Sequence, residues 1–376
     1  MATVKKDRVK AGKRPVDITF LVLVLILLAF GLLMLFSASY AYAQYYQGDS
    51  FHYIKKQALV AVIGVACMLI VSKIDYTIYK KYTYWIYGGA IFLLVLVLLV
   101  NIKNSIKRWI YVPGVGQFQP SEVAKFALIV LFAYLIAKHG EKMNTFQYGV
   151  FPFVLFLGIT AGLIIIEPHL SGTILIMGIG LIMMFVGGTR YRWFILLLVA
   201  AAVGVVLVLT FGREYMAERL QGWFDPFSDP QDSTYQTMES LLTIGSGGLL
   251  GVGLGNSRQK YLFLPEPQND FIFAIICEEL GFIGAMVVIL LFVLFVYRGF
   301  AIAAKAPDKF SMMLAVGITT QIGLQAMLNI AVVTNTIPNT GISLPFFSYG
   351  GTALFLQLLE MGVILNVSRH ASLEKE

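Results

Sequence analysis

Asp270 stands where an aqueous loop meets a long apolar segment, in the run Pro265-Glu266-Pro267-Gln268-Asn269-Asp270-Phe271-Ile272-Phe273-Ala274. The chemistry this placement suits is proton transfer, because a carboxylate at the interface meets both water and a lipid headgroup. Glu278 and Glu279 follow inside the apolar segment. A charged side chain at the bilayer centre costs roughly 2.5 kcal/mol or more, so such carboxylates are seldom carried without a use. Arg258 and Lys260 lie just upstream of Asp270. Cations beside a carboxylate at a membrane surface suit an anionic headgroup such as a pyrophosphate. A solvated loop salt bridge, worth little, is the plain alternative.

A second group begins at Gln119-Pro120-Ser121-Glu122-x-x-Lys125. Pro120 and Ser121 are good helix-start residues, and Glu122 suits the positive end of the first turn. Helix-start chemistry does not account for Lys125, one turn into the apolar stretch. It is either half of a structural ion pair, with Glu278 or Glu279 within geometric reach, or an active-site lysine. Lys107, Arg108 and Trp109 precede a turn-rich loop and read either as an interfacial anchor with snorkelling basic residues or as a headgroup clamp. Gln321, Gln325 and Asn329 recur every four residues, which places three amides on one helix face, for interhelical hydrogen bonds in preference to substrate contact, with Glu360 as a candidate partner. Gly251-Val252-Gly253-Leu254-Gly255 lacks the G-x-G-x-x-G spacing and any surrounding βαβ unit, so close packing is the better reading.

These residues must be positioned by membrane helices. The 376 residues are 58% hydrophobic and 13% charged, with mean hydropathy +0.78, which excludes a soluble domain. Cys67 and Cys277 both lie in apolar stretches, and four scattered histidines show no metal-ligand spacing, so disulfide, zinc and thiol chemistry are not indicated. Ten segments come close to crossing about 30 Å of hydrocarbon: residues 18–36, 58–71, 84–100, 123–137, 150–166, 173–186, 193–211, 271–297, 312–334 and 354–367. The expected fold is therefore all-α and polytopic. Of the 28 Lys and Arg, 18 fall in the pieces this threading makes cytoplasmic, nine in outer pieces, and Lys125 inside a span. The positive-inside rule then predicts both termini in the cytoplasm. The net charge of +7 is topology signal and implies no nucleic-acid partner.

The first apolar run is too long for a signal-peptide core and reads as a retained span. The expected organisation is a basic cytoplasmic N-terminus (1–17), one transmembrane domain (18–367) and a cytoplasmic tail (368–376). The long outer loop, about 212–269, opens with a polar amphipathic stretch at 213–221. Its run at 240–255 is glycine-rich and apolar but too broken to span, which predicts a re-entrant element packed against protein.

Four motifs together resemble one family. They are Arg108-Trp109, Gln119-Pro120-Ser121-Glu122-x-x-Lys125, Leu264-Pro265-Glu266-x-x-x-Asp270-Phe271-Ile272-Phe273-Ala274 followed by Glu278-Glu279-Leu280-Gly281, and Leu344-Pro345-Phe346-Phe347-Ser348-Tyr349-Gly350-Gly351. In this order on ten spans they resemble the SEDS proteins (shape, elongation, division and sporulation), whose members include FtsW, RodA and SpoVE. The stretch 255–260 into Pro265-Glu266-Pro267 looks more like the division and sporulation branch. The resemblance implies a peptidoglycan glycosyltransferase that polymerises lipid II at the outer face of the bacterial cytoplasmic membrane, at the septum for a division member. It maps the catalytic carboxylate onto Asp270 and family motif residues onto Arg108, Trp109, Glu122 and Lys125. It also implies a class B penicillin-binding protein as transpeptidase partner, alongside other divisome or elongation-complex membrane proteins.

The reaction expected is a single inverting displacement with Asp270 as base. Arg108, Lys125, Arg258 and Lys260 are the cations for the leaving pyrophosphate, and Glu278 and Glu279 support them. No cofactor is required by these residues; a divalent cation, magnesium or manganese, is the candidate addition, with unassigned ligands. Readings from other classes are a lipid II flippase or transporter and a non-catalytic scaffold for the transpeptidase. One departure stands out. Where many members read Gln-Pro-Asp-Leu-Gly-Thr, this chain has Glu167-Pro168-His169-Leu170-Ser171-Gly172-Thr173, so any role of that aspartate does not carry over.

Overall fold

The computed structural model describes residues 15–99, 108–112, 116–167, 169–196, 222–229 and 234–371. Its long helices are α1 (Ile18–Gln47), α2 (His52–Val71), α3 (Thr83–Leu99), α4 (Pro120–His139), α5 (Phe151–Ile166), α6 (Leu170–Gly187), α7 (Tyr235–Gly247), α8 (Ile272–Ala304), α9 (Lys309–Val333) and α10 (Gly351–His370). A two-stranded antiparallel hairpin, β1 (Ile110–Val112) and β2 (Gly116–Phe118), precedes α4. Among the described residues, eight helical segments are long and apolar enough to cross a membrane, and α3 is a shorter apolar helix. The chain is a multi-pass, nearly all-helical membrane protein. The segment expected at 193–211 falls mostly outside the described residues, as does the amphipathic stretch at 213–221.

Local signals set the helix ends. Asp17 caps α1 by accepting from Phe20 N at 2.8 Å, and Arg298 of α8 locks that carboxylate with a 2.7 Å ion pair. Asp308 caps α9 through the amides of Phe310 and Ser311. Such caps are worth about 1 kcal/mol each. The expected segments 58–71, 123–137 and 173–186 extend into their flanks as α2, α4 and α6, because cap and loop residues continue the helix beyond the apolar run.

Helix α4 is the axis of the bundle. Of its apolar window 78% is buried, against 22% for α2, which faces outward. It packs on α3, α6 and α9, while α10 lies along α2 and α8 pairs with α9 and α1. The centre of the bundle is accordingly where buried polar residues collect: Glu122, Lys125, Gln321, Gln325, Asn329 and Glu360.

The glycine-rich run packs as a strap against α8. Helix α7 ends at Gly247, and the chain turns through Gly248, Gly251, Gly253 and Gly255, all at positive φ. A Cβ on Gly247 would stand 2.0 Å from the carbonyl oxygen of Cys277, so only glycine permits this approach to α8. Helix α8 is broken at Gly281 (φ 67°, ψ −169°), a conformation that glycine alone adopts readily. The carbonyls freed by the break are satisfied from the strap: Val252 N donates to Glu278 O and Gly253 N to Glu279 O. Irregular backbone at this depth is tolerated because protein supplies its hydrogen bonds.

Candidate functional site

Asp270 lies two residues before the start of α8 and is half-buried. Its backbone is fixed by Asn329 of α9, whose amide donates to Asp270 O (2.8 Å) and to Ile342 O (2.7 Å). The loop 334–350 thereby comes against the carboxylate. At Gly341 (φ 68°) an added Cβ would lie 3.1 Å from Asp270 Oδ2. Ser348 Oγ donates to Asn269 O (2.6 Å) and Tyr349 N to Gln268 O (2.8 Å), so the 344–351 motif braces the residues just before Asp270.

From Gly341 the contacts run to α6 and α4. Ser171 Oγ donates to Gly341 O at 3.1 Å. Two residues earlier, His169 precedes the first turn of α6, and its Nδ1 lies 3.4 Å from both Gln119 Nε2 and Ser121 Oγ. Burial pushes the His169 imidazole down to about 3, and the charges of Arg108 and Lys125 push in the same direction. Both cations therefore stand near it. Lys125 pairs with Glu122 one turn back (2.8 Å, both side chains buried) and donates to Gln325 Oε1 at 3.3 Å. An ammonium has three donors, so one is left without a partner among the described residues. Arg108 Nε is also buried without a hydrogen-bond partner among them. Trp109 leads into β1, half-buried. The hairpin is tied to α10 by Thr352 Oγ1, which donates to Gln117 O at 2.7 Å.

The amide stripe of α9 makes the interhelical bonds its spacing predicts. Gln321 donates to Glu360 Oε2 (2.8 Å), and Gln325 donates to Ser343 O (3.0 Å) and accepts from Lys125. Its further effect is to hold the loop carrying Gly341 and Ser343 over Asp270.

Two expectations need correction. Lys125 does not pair with Glu278 or Glu279, since its carboxylate partner is Glu122 on its own helix. Lys260, expected to face a headgroup, is only 3% exposed. Its ammonium donates to Gly255 O (2.6 Å), Glu279 Oε1 (3.0 Å) and Ser37 Oγ (3.3 Å). The glycine turn folds it back under the strap, which a linear sequence cannot reveal. Glu279 also receives Ser37 Oγ at 2.7 Å, and Glu278 receives Ser257 Oγ and Arg258 N (2.9 Å). These glutamates hold the strap through those contacts. The Arg258 side chain itself is exposed.

Sequence reasoning left His169 without a role, although an imidazole at the mouth of a span with glycine three residues on was a usable signal. Glu167 beside it is fully buried, and neither carboxylate oxygen has a hydrogen-bond partner among the described residues. Burial pushes its carboxyl up to about 8.

Comparison with known proteins agrees with this geometry. The family model for FtsW/RodA/SpoVE cell cycle proteins matches residues 18–373. Stage V sporulation protein E of Bacillus subtilis (strain 168) is 42% identical over 362 residues, covering 94% of this chain and 97% of the relative. A protein named probable peptidoglycan glycosyltransferase FtsW from Geobacter sp. (strain M18) is 38% identical over 355 residues, covering 94% and 96%. Among solved structures, a chain from a study of polymerization and crosslinking by a peptidoglycan synthase complex superposes with TM-score 0.80 at 26% identity, covering 96% of this chain and 99% of that one. The rod shape determining protein RodA of Thermus thermophilus gives TM-score 0.70 at 25% identity, covering 96% and 98%.

Proposed function

The chain belongs to the FtsW/RodA/SpoVE family of cell cycle proteins, and we propose that it is a peptidoglycan glycosyltransferase that polymerises lipid II for septal or sporulation wall synthesis. The observation that carries the reading is a carboxylate, Asp270, reached in a few contacts from spare N–H donors on Arg108 and Lys125. A base on one side and donors for an anion on the other are what transfer from a pyrophosphate leaving group needs.

In the reaction we assign, Asp270 takes the proton of the acceptor sugar's 4-hydroxyl. That oxygen attacks the anomeric carbon of the polyprenyl-linked donor from the face opposite the leaving group. The bond from carbon to phosphate oxygen breaks, inverting the centre, and the pyrophosphate leaves with the electron pair. Arg108 and the third donor of Lys125 meet the charge that develops there, with exposed Arg258 as a further candidate. Glu122 holds Lys125 in place but leaves it a donor to offer. Trp109, beside Arg108, is assigned to the same headgroup site. With both termini cytoplasmic, as the charge distribution supports, this chemistry faces outward, where a class B penicillin-binding protein would crosslink the product.

A magnesium or manganese ion is a separate proposal. Among the described residues no three His, Cys, Asp or Glu form a metal-holding group. Asp270 together with substrate phosphate oxygens is the donor set such an ion would have, and it would add positive charge at the leaving group.

The test is polymerisation of labelled lipid II by the purified chain with its transpeptidase partner. Asp270→Asn keeps size and removes basicity, so polymer should fall roughly 10²-fold or more with an unchanged melting profile. Polymerisation near the wild-type rate would overturn the assignment.

A further inference from the structure

We propose that His169 contacts the substrate, as a neutral imidazole whose Nε2–H donates to a phosphate oxygen of the polyprenyl pyrophosphate held between Arg108 and Lys125. The proposal rests on the glycosyltransferase reading above and names a residue that reading does not use.

The contacts at Nδ1 support the tautomer we assign. Two side-chain donors, the Gln119 amide and the Ser121 hydroxyl, converge on Nδ1. With a donor on that side, the neutral ring accepts there and carries its hydrogen on Nε2. Among the described residues Nε2 has no hydrogen-bond partner. Room for the ring is built into α6, since a Cβ on Gly172 would stand 2.7 Å from His169 Nδ1. The ring is thus held in one place with its N–H directed away from Gln119 and Ser121.

The surroundings select the ligand. The charged groups near the ring are Arg108 and Lys125, with Glu122 neutralising part of the latter's charge. Burial, with the two cations adding to it, keeps the imidazole uncharged, so it can donate one hydrogen bond without adding a third positive charge to a crowded site. The spare donors of Arg108, Lys125 and His169 all face a need for acceptor oxygens, and none of the three can accept from a sugar hydroxyl. That chemistry describes phosphate. Ser171, two residues along, reaches Gly341 beside Asp270, which puts this anion site next to the proposed base.

The plain alternative is a histidine that only braces Gln119 and Ser121. At 3.4 Å those contacts are at the long end of the hydrogen-bond range. Two isosteric substitutions separate the roles, because a glutamine amide reaches the position of Nε2 and an asparagine amide that of Nδ1. The experiment measures binding of farnesyl pyrophosphate, and its inhibition of lipid II polymerisation, for the full chain with its transpeptidase partner. His169→Gln should stay within a few-fold of wild type. His169→Asn should keep its melting temperature and lose roughly ten- to hundredfold in affinity, the usual cost of a hydrogen bond to a charged group. Wild-type affinity in His169→Asn, or a loss confined to His169→Gln, would overturn the proposal and leave the polymerase reading standing. A wild-type protein that neither binds the probe nor polymerises lipid II would instead overturn the polymerase reading.

Discussion

Two buried lysine–glutamate pairs in this molecule look alike and differ in the bonds they make. Lys125–Glu122 and Lys260–Glu279 have N···O separations of 2.8 and 3.0 Å and almost no exposure. The difference lies in how many donors are spent. Lys260 uses all three, on a carboxylate, a carbonyl and a hydroxyl. Lys125 uses two, and the second contact is a long one at 3.3 Å. A buried charge whose donors are all satisfied fastens structure; one held in place with a donor to spare can receive a ligand. Burial and pairing alone do not separate a brace from a binding site.

The contrast is sharpest at the strap. Lys260→Met strands the Glu279 charge, which should cost about 3–5 kcal/mol and appear as a large drop in melting temperature in detergent. Adding Glu279→Gln should recover most of that stability and, with it, polymerisation. A double variant that is stable but inactive would show that Lys260 does more than fasten.

The same design at the other pair should give the opposite split. Lys125→Met with Glu122→Gln removes both charges, so the fold should survive, since neutral groups can replace a buried pair. Lipid II polymerisation should still fall about 10²-fold, because charge offered to a leaving group has no neutral substitute. Full activity in that variant would erase the distinction.

The smallest effect lies beside the first pair, at residues 167 and 169. Glu167 titrates near 8 in the folded chain, above its ordinary value near 4.5. The folded state therefore binds more protons than the unfolded one between about pH 4.5 and 8, and stability should decline across that window. His169, pushed down to about 3 from 6.5, works the other way, and its contribution is lost as pH falls from about 6.5 to 3. Glu167→Gln should flatten the upper slope in melting curves recorded from pH 5 to 8, with little change in polymerisation. An unchanged slope would place the titration elsewhere.

The bundle was legible in the sequence because lipid permits so few alternatives. Long apolar runs must be helices, and α9 and α10 appear within about three residues of the expected bounds, while α8 starts one residue later than expected and runs on to Ala304. That the glycine-rich run packs against protein was legible from broken apolarity and glycine. Pairings were not. Lys260 lies ten residues from Asp270 along the chain, and nothing in that spacing tells that a turn at Gly251, Gly253 and Gly255 folds it onto Glu279. Lys125 and Glu122 sit at ordinary helix-start spacing, yet two distant elements, the α9 stripe and the loop bearing Gly341, make them part of a site. His169 escaped because histidine is usually sought by metal spacing, and its partners here come from Gln119 and Ser121.

The break at Gly281 also bears on how the molecule fits its bilayer. As one rod, the 33 residues of α8 would run about 50 Å, far beyond the roughly 30 Å of hydrocarbon. Residues 282–304 alone run about 35 Å, a length that a modest tilt accommodates. Hydrophobic mismatch is then taken up below the break, where the exposed faces of Phe282, Ile283, Leu290 and Val293 meet acyl chains. The short piece that follows Asp270 is tied to α7, α9 and the strap instead. In a thicker or thinner membrane the long piece can change its tilt while the geometry around Asp270 stays with the protein.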